Sequence, residues 1–409
     1  MKKRRFFISM HYMELGGAEA ALIGMLQAID YSRYGVDLFL HSHRGEMMKF
    51  IPKEVNLLPE IKEYSMIEKP MMEAFRKGCF RVVLARLKAK WQFKRYLKWN
   101  RLKESAAVFQ YVGNAVTPVL PSLEYLGEYD MAFSFLNPHN IVRDKVKAKK
   151  KICWIHTDYT RIDINTKLEL PVWASYDHVI SISPDVTRTF LQVFPSLRDK
   201  IVEMENILPA DFIRKRSDEF DASTEMVENG VKILSVGRFC KAKNYDNVPD
   251  ICRRIREQGI NLHWFLIGYG DDSLIRQRIH ETGMEKFVII LGKRTNPYPY
   301  IKACDIYAQP SRYEGKSVTV REAQILCKPV IVTDYPTAKS QINNHIDGVI
   351  VPLDNEGCAK SMVDFIQNID LQQKIVHYLH NHDFGNKGEL NILYKLLDET
   401  KTDSISGCC

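Results

Sequence analysis

Asp305-Ile-Tyr-Ala-Gln-Pro-Ser-Arg-Tyr-Glu-Gly-Lys-Ser-Val-Thr-Val-Arg-Glu-Ala-Gln-Ile-Leu-Cys327 is the stretch that decides how this chain folds. An apolar run of strand length leads into a turn holding Glu314 and Gly315. Val318, Ala323, Ile325 and Leu326 then recur at roughly helical spacing, so the segment reads as strand, loop, helix. Its two carboxylates fall on different elements: Glu314 lies in the loop and Glu322 about two turns along the helix. So placed, they can grip two ends of one elongated ligand. Between them the backbone amides near Ser317 and Val318 point out of the helix start, where an anion is favoured.

The same alternation extends on both sides. Val231-Lys-Ile-Leu-Ser-Val236 reads as a strand ending in Gly237-Arg238, with Lys243 in the short loop that follows. Leu262-His-Trp-Phe-Leu-Ile267 ends at Gly268-Tyr-Gly270, and the next helix starts at Asp271 or Asp272, both good N-cap residues. Phe287-Val-Ile-Ile-Leu291 ends at Gly292-Lys-Arg294. Pro329-Val-Ile-Val332 and Val349-Ile-Val351 complete a sheet, and Glu356 to Ile369 reads as a helix.

The first half opens alike. Arg5-Phe-Phe-Ile-Ser-Met10 is a buried-strand run, a helix pattern begins at Ala18, and Val36-Asp-Leu-Phe-Leu-His41 is the second strand. Together they form a βαβ unit and imply a parallel sheet. Gly16 and Gly17, at the helix start, suit either a close approach to phosphate or an ordinary tight turn. Met131-Ala-Phe-Ser-Phe135, Lys151-Ile-Cys-Trp-Ile155 and His178-Val-Ile-Ser-Ile182 are further strands. His156 and Asp158 follow one of them, at the sheet edge where open parallel sheets bind ligands; a lone histidine there can equally be structural. The polar run from Asp211 to Gly230 reads as a connection. The expected architecture is α/β, with two Rossmann-like doubly wound parallel-sheet domains facing each other. The expected spans are 1–208, a linker 209–230, a second domain 231–385 and a C-terminal tail or helix 386–409.

The chain has 409 residues, 45% of them hydrophobic and 26% charged, which suits a soluble globular protein of two domains. A net charge of +8 favours an anionic partner without choosing one. Nine cysteines show neither a Cys-x-x-Cys pair nor metal-ligand spacing. They read as reduced thiols of a cytosolic protein. No run approaches the ~20 apolar residues of a spanning helix, and the apolar part after Lys2–Arg5 is too short for a signal peptide. The terminal Gly407-Cys-Cys409 is not a prenylation box and reads as a frayed tail. Residues 76–103 carry eleven basic side chains and no acid, interleaved with Phe80, Val83, Leu84, Leu87, Trp91 and Tyr96. That pattern suits an anionic membrane surface, or else a solvated basic face packed on the domain. No recognition motif accompanies the charge, so nucleic acid is not expected as a partner.

Arg238 and Lys243 on one loop would neutralise a diphosphate, the first with a planar fork and the second with a compact point charge. They meet two carboxylates at a common sheet edge. Here the sequence resembles the retaining glycosyltransferases of family 4, which have the GT-B fold. The resemblance runs from Gly16-Gly-Ala-Glu19 through His156-x-Asp158, Val236-Gly-Arg-Phe-x-x-x-Lys243 and Gly268-x-Gly270 to Glu314-x7-Glu322-Ala323. It implies two domains facing across a cleft, the first binding the acceptor and the second the nucleotide sugar. It further implies metal-independent transfer of a sugar from a UDP- or GDP-sugar, with no cofactor besides that co-substrate.

Arg238 and Lys243 would hold the diphosphate, Glu314 the donor sugar's hydroxyls and Glu322 the ribose. Gly16 and Gly17 would approach the phosphates and His156 would line the sugar pocket. Gly237, Gly268, Gly270, Arg294, Gly315, Ser317 and Val318 complete the expected donor site. Many relatives have an apolar and a small residue after Glu-Gly, where this chain has Lys316-Ser317, and Lys316 adds a cation for phosphate or an acidic sugar. The acceptor is expected to be a glycan or lipid-linked, which places the enzyme in the cytoplasm, with the basic stretch docking it at the inner membrane face.

Two other classes stay open at this level. A nucleotide-sugar epimerase of the same fold would turn over donor without acceptor, and a non-catalytic membrane or polyanion binder would use 76–103 alone. A nicotinamide-dependent dehydrogenase is disfavoured, because Gly16-Gly17 lacks the third fingerprint glycine.

Overall fold

The computed structural model describes residues 3–14, 16–226, 229–314 and 317–398. The described residues divide into two compact units, one of those up to Ile207 with those from Lys387 on, the other of those from Leu208 to Asn386.

The first unit is built on a seven-stranded sheet of order β3-β2-β1-β4-β5-β6-β7. Its strands are β1 (Arg4–Met10), β2 (Tyr34–Leu40), β3 (Asn56–Leu57), β4 (Tyr129–Ser134), β5 (Ala148–Ile155), β6 (His178–Ser181) and β7 (Ile201–Glu203). Every pairing is parallel; Phe6, for example, lies opposite Val36 on one side and Met131 on the other. A parallel sheet covered on both faces buries every strand residue, which is why Phe6, Phe7 and Ile8 are all buried in succession. One face packs Phe7, Phe39, Tyr129, Trp173 and Phe190 into a shared core. The last described helix, Leu390–Asp398, also belongs here. Its Tyr394 ring stacks on Tyr34 at 4.5 Å and 4°, and Asp398 pairs with Arg4.

The second unit repeats the plan with six strands in the order β10-β9-β8-β11-β12-β13, again all parallel. These are β8 (Val231–Val236), β9 (Leu262–Ile267), β10 (Val288–Gly292), β11 (Ile306–Gln309), β12 (Val330–Thr333) and β13 (Val349–Val351). In both sheets the strand order reverses once, between β1 and β4 in the first and between β8 and β11 in the second. In doubly wound sheets that reversal opens a crevice at the carboxyl ends of the strands, where ligands bind.

Two expectations change. Residues 209–230 are not an open connection: Ala210–Ser217 is a helix, and Ala210, Ile213, Ala222 and Met226 join the second unit's core beside Tyr298 and Tyr300. The helix expected from Glu356 to Ile369 is two helices, Asn355–Gln367 and Ile369–Asn381. Asn368 separates them and caps the second, its Oδ1 accepting the Leu371 amide at 3.0 Å. The helix expected to start at Asp271 or Asp272 does so: Asp272 is the N-cap residue of Ser273–Thr282, and Asp271 accepts the Ser273 amide at 3.0 Å. Gly315, Lys316, Cys408 and Cys409 lie outside the described residues. All seven described cysteines are free thiols, and no described helix is long and apolar enough to cross a membrane.

Candidate active site

The reversal of the second sheet lies between the loop after β8, which carries Lys243, and the loop after β11, which carries Glu314. Lys243 Nζ donates to Glu314 Oε1 at 2.6 Å. Both side chains are largely buried, at 17% and 13% exposure, and the two loops are tied independently of that pair. Arg312 forks onto Asp246 at 2.9 and 2.7 Å and donates to the Lys241 carbonyl at 2.8 Å. Its own amide donates to the Ala242 carbonyl. Arg312 therefore fastens the Lys243 turn to the Glu314 loop, a bidentate clamp that fixes geometry as well as charge.

A buried relay orients the carboxylate from below. Tyr307 OH donates to Gln309 Oε1 at 2.9 Å, Gln309 Nε2 donates to Ser311 Oγ at 2.8 Å, and Ser311 Oγ donates to Glu314 Oε1 at 2.6 Å. All three relay residues are buried. Thr337 Oγ1 holds the Glu314 carbonyl at 2.8 Å. On the carboxylate itself, Lys243 Nζ, Ser311 Oγ and, at 3.3 Å, Gln309 Nε2 converge on Oε1; among the described residues none reaches Oε2.

Glycine is required around this pair for space. A side chain at Gly237 would begin 3.0 Å from Lys243 Cε and 2.9 Å from Tyr245 OH, so the lysine stem lies against bare backbone. A Cβ at Gly268 would fall 1.9 Å from the Gly237 carbonyl oxygen. Gly270, at φ +123°, continues the same contact through its bridge to Phe239. The glycines at 268 and 270 thus let the ends of β8 and β9 close on each other. Arg238 is exposed beside Gly237 and makes no ion pair among the described residues.

Other expected residues stand apart. Arg294 follows the edge strand β10, two strands from the reversal, where it meets Glu225 at 2.7 Å and Tyr300 OH at 2.8 Å. Its charge is already matched. Glu322, 8% exposed, accepts from Tyr298 OH at 2.8 Å, and burial pushes its carboxyl up to about 7 against the pull of that bond. The Ser317 amide is not free at the helix start: it donates to Gln341 Oε1 at 3.0 Å. Val318, the first residue of that helix, is 42% exposed.

In the first unit, Gly16 and Gly17 open the helix Gly17–Ala28 as expected. The Glu19 carboxylate folds back over Gly16, where a Cβ would lie 2.2 Å from its Oε2, while Gly17 has open space. His156 packs on Phe135 at 4.8 Å, with its Nε2 buried and without a hydrogen-bond partner. Burial lowers its pKa to about 4, so the ring is neutral. Asp158 turns back to cap Thr160, accepting its amide at 3.0 Å and its hydroxyl at 2.6 Å.

Sequence reasoning missed the Tyr307-Gln309-Ser311 relay and the Arg312 clamp. In the first unit the stretch His11 to Glu14 was expected to contact the acceptor, but the pairing of His11 Nδ1 with Glu68 at 3.1 Å was missed, as was Glu169, hydrogen-bonded by Gln110 and Tyr159. A polar residue at every second position from Tyr307 to Ser311, inside a buried strand and its end, was the available signal. No group of three or more His, Cys, Asp or Glu that could hold a metal occurs among the described residues.

Residues 216–382, within the second unit, match the family described as Glycosyl transferases group 1. Over 127 residues the chain is 32% identical to the Campylobacter jejuni N-acetylgalactosamine-N,N'-diacetylbacillosaminyl-diphospho-undecaprenol 4-alpha-N-acetylgalactosaminyltransferase, a match covering 30% of this chain and 34% of that protein. It is 24% identical over 214 residues to the amylovoran biosynthesis glycosyltransferase AmsK of Erwinia amylovora, covering 50% and 48%. The matches thus span about a third and about half of these relatives. Among solved structures, Anabaena HepE in complex with UDP aligns at TM-score 0.60 and 14% identity over 96% of this chain and 99% of that one. S. aureus TarM aligns at TM-score 0.64 and 11% identity over 97% and 100%. At such identities the likeness is one of fold, and that fold is GT-B.

Proposed function

We propose that this chain, whose second unit carries the group 1 glycosyltransferase match, is a retaining glycosyltransferase. It would move a sugar from a UDP- or GDP-sugar to a glycan or lipid-linked acceptor in the synthesis of a cell-envelope polysaccharide or glycolipid. The observation that carries this reading is the clamped Lys243–Glu314 pair at the reversal of the second sheet. The printed activities of the Campylobacter and Erwinia relatives, one acting on a diphospho-undecaprenol and one in amylovoran synthesis, support the acceptor class.

Breaking a sugar–diphosphate bond develops positive charge on the sugar and negative charge on the leaving phosphate. Fixed cations serve the second. An ammonium has three donors; Lys243 uses one on Glu314, and the others are available to phosphate oxygens. Arg238 supplies a second cation from the same loop. Together they take the part a metal plays elsewhere, so no metal is assigned. Glu314, oriented through Oε1, offers Oε2 to a sugar hydroxyl. Retention follows if the acceptor hydroxyl attacks the face the diphosphate leaves: its oxygen bonds to the anomeric carbon, the carbon–phosphate oxygen bond breaks, and the hydroxyl proton passes to the departing phosphate.

The helix Phe80–Asn100 supports a place on the inner face of the cell membrane. Its inner side buries Val82, Ala85 and Ala89. Its outer side exposes Phe80, Leu84, Leu87 and Trp91 among Arg81, Lys88, Lys94, Arg95 and Lys98. The exposed stripe is therefore both apolar and basic, the combination that adsorbs to anionic lipid. Val83 and Tyr96 are turned toward the protein, and Arg86 donates to the carbonyls of Met66 and Lys69. The adsorbing face is thus narrower than residues 76–103 as a whole.

Calorimetric titration with UDP, GDP and ADP tests the donor half. The reading expects UDP or GDP to bind and binding to fall in Lys243→Ala. Failure of all three to bind sinks it, and an epimer formed from a UDP-sugar without acceptor redirects it.

A further inference from the structure

The first unit holds a cavity of about 470 Å³ at its own strand-order reversal, between His11 after β1 and Leu136-Asn137-Pro138 after β4. That is the size of a small-molecule site. Most of its wall is hydrocarbon, including Val108, Phe109, Val112, Leu136, Ile162 and Ile164. The polar residues on the wall largely satisfy one another. Gln110 and Tyr159 both donate to Glu169, and Gln110 Oε1 accepts the Asn165 amide at 2.7 Å. Burial pushes the Glu169 carboxyl up to about 7, which disfavours a negative charge on that wall. Such a wall offers few hydrogen bonds to a hydroxyl-rich sugar. Its polar end is the His11–Glu68 pair.

The cavity is mechanically joined to the basic helix. Arg86 from that helix holds the Met66 and Lys69 carbonyls, which bracket the wall residues Ile67 and Glu68. Tyr96 OH donates to the carbonyl of the wall residue Ile164 at 3.3 Å, and the Tyr96 ring lies 5.7 Å from Tyr111 on the wall helix Ala107–Val116. Phe109 lines the cavity yet is 67% exposed, so the apolar lining runs out to the surface at that rim.

From this continuity we infer that the cavity binds a hydrocarbon segment of a membrane-resident lipid phosphate, the apolar anchor of the acceptor. The basic helix, fixed to the cavity walls, holds the unit on the membrane that supplies that lipid. A phosphate head outside the cavity meets the cations of the helix, and the chain behind it fills an apolar space open at Phe109. This assignment rests on the lipid-linked acceptor reading above and adds where the lipid is held.

The test uses the full chain and alkyl phosphates of six to sixteen carbons below their micelle concentrations, with UDP titrated in parallel. Affinity should rise about fourfold per added methylene, the equivalent of burying each CH₂, and then level off once the cavity is filled. Val112→Phe, which fills the cavity, and Phe109→Ser, at the exposed rim, should each weaken dodecyl phosphate at least tenfold and leave UDP affinity unchanged. UDP binding reports the second unit, so unchanged far-ultraviolet circular dichroism and an unchanged thermal transition are required to show that the first unit of each variant is folded. Equal affinity for hexyl and dodecyl phosphate, or wild-type binding in both variants, overturns the inference. UDP binding without any alkyl phosphate binding overturns it while the glycosyltransferase reading stands. Dodecyl phosphate binding without nucleotide binding instead overturns that reading, and with it the acceptor role given to this cavity.

Discussion

Lys243 Nζ and Glu314 Oε1, 2.6 Å apart and 71 positions apart in sequence, are joined by a bond that the Arg312–Asp246 clamp and the Tyr307-Gln309-Ser311 relay hold in place. The pair is built before any ligand contact, so its cost in ordering is met by the fold. Lys243→Ala should lower kcat by about 10²–10³-fold, the range for losing one preorganised charge-stabilising group, and should also weaken UDP. Glu314→Gln keeps the Ser311 bond and loses the ion pair. It should cut kcat about 10²-fold while UDP affinity changes little, because the role proposed for Glu314 Oε2 is toward the sugar and not the phosphate. Initial rates and calorimetry separate the two. Equal loss of UDP affinity in both variants would contradict these roles.

Two glycine substitutions should fail in different ways. At Gly237 the new methyl meets two side chains, Tyr245 OH at 2.9 Å and the Lys243 stem at 3.0 Å, so Gly237→Ala should cost about 1–3 kcal/mol of stability and displace the lysine, lowering kcat. At Gly268 it meets the Gly237 carbonyl at 1.9 Å, and backbone must move. Gly268→Ala should therefore lose more stability than Gly237→Ala. Gly17→Ala, with open space around it, is the control, expected within about 0.5 kcal/mol of wild type. Thermal unfolding of the three variants ranks them directly.

The strands were readable because a parallel sheet buried on both faces writes itself as unbroken apolar runs, as in Phe6 to Met10 and Leu262 to Ile267. What escaped was short or partnered at long range. β3 has two residues and β7 three, too few for any period. The helix Ala210–Ser217 reads as linker because Asp211, Arg214 and Lys215 dominate it, though Ala210 and Ile213 suffice to seat it. Sequence placed Lys243 and Glu314 at strand ends, yet gave no sign that they touch. It also placed Arg294 in the same class as Arg238. Glu225, 69 residues earlier, and Tyr300 distinguish them by occupying Arg294. His11–Glu68 and Gln110–Glu169 share no motif spacing at all.

Glu169 gives a pH dependence of definite sign. Its carboxyl titrates near 7 in the folded chain against an ordinary 4.5, so the folded state holds a proton that the unfolded state releases. The stability tied to that proton is fully present below about pH 4.5 and is lost as pH rises through about 7, by about 3 kcal/mol at most. Glu169→Gln removes the charge that must otherwise be buried. It should gain stability relative to wild type at pH 8 and show little difference at pH 4.5. Urea unfolding at the two values checks this; a gain at pH 4.5 instead would mean that the carboxyl is ionised in the native cavity wall.

The outer face of the helix Phe80–Asn100 makes the last prediction. Lys88, Lys94 and Lys98 are exposed on the side that carries Leu84, Leu87 and Trp91. Each lysine near an anionic bilayer contributes about 1 kcal/mol, so Lys88→Gln, Lys94→Gln and Lys98→Gln combined should lower partitioning onto vesicles containing anionic phospholipid about 100-fold. Trp91→Ser should lower it on anionic and neutral vesicles alike, since it removes apolar and not charged contact. The charge term should fade as salt shortens the screening length from about 10 Å at 0.1 M to about 3 Å at 1 M, whereas the tryptophan term should persist. Because Arg86 points inward to the Met66 and Lys69 carbonyls, Arg86→Gln should reduce Tm and leave the salt dependence of vesicle binding as it was. Flotation across a salt series distinguishes these contributions, and partitioning indifferent to both lipid charge and Trp91 would assign this face to solvent.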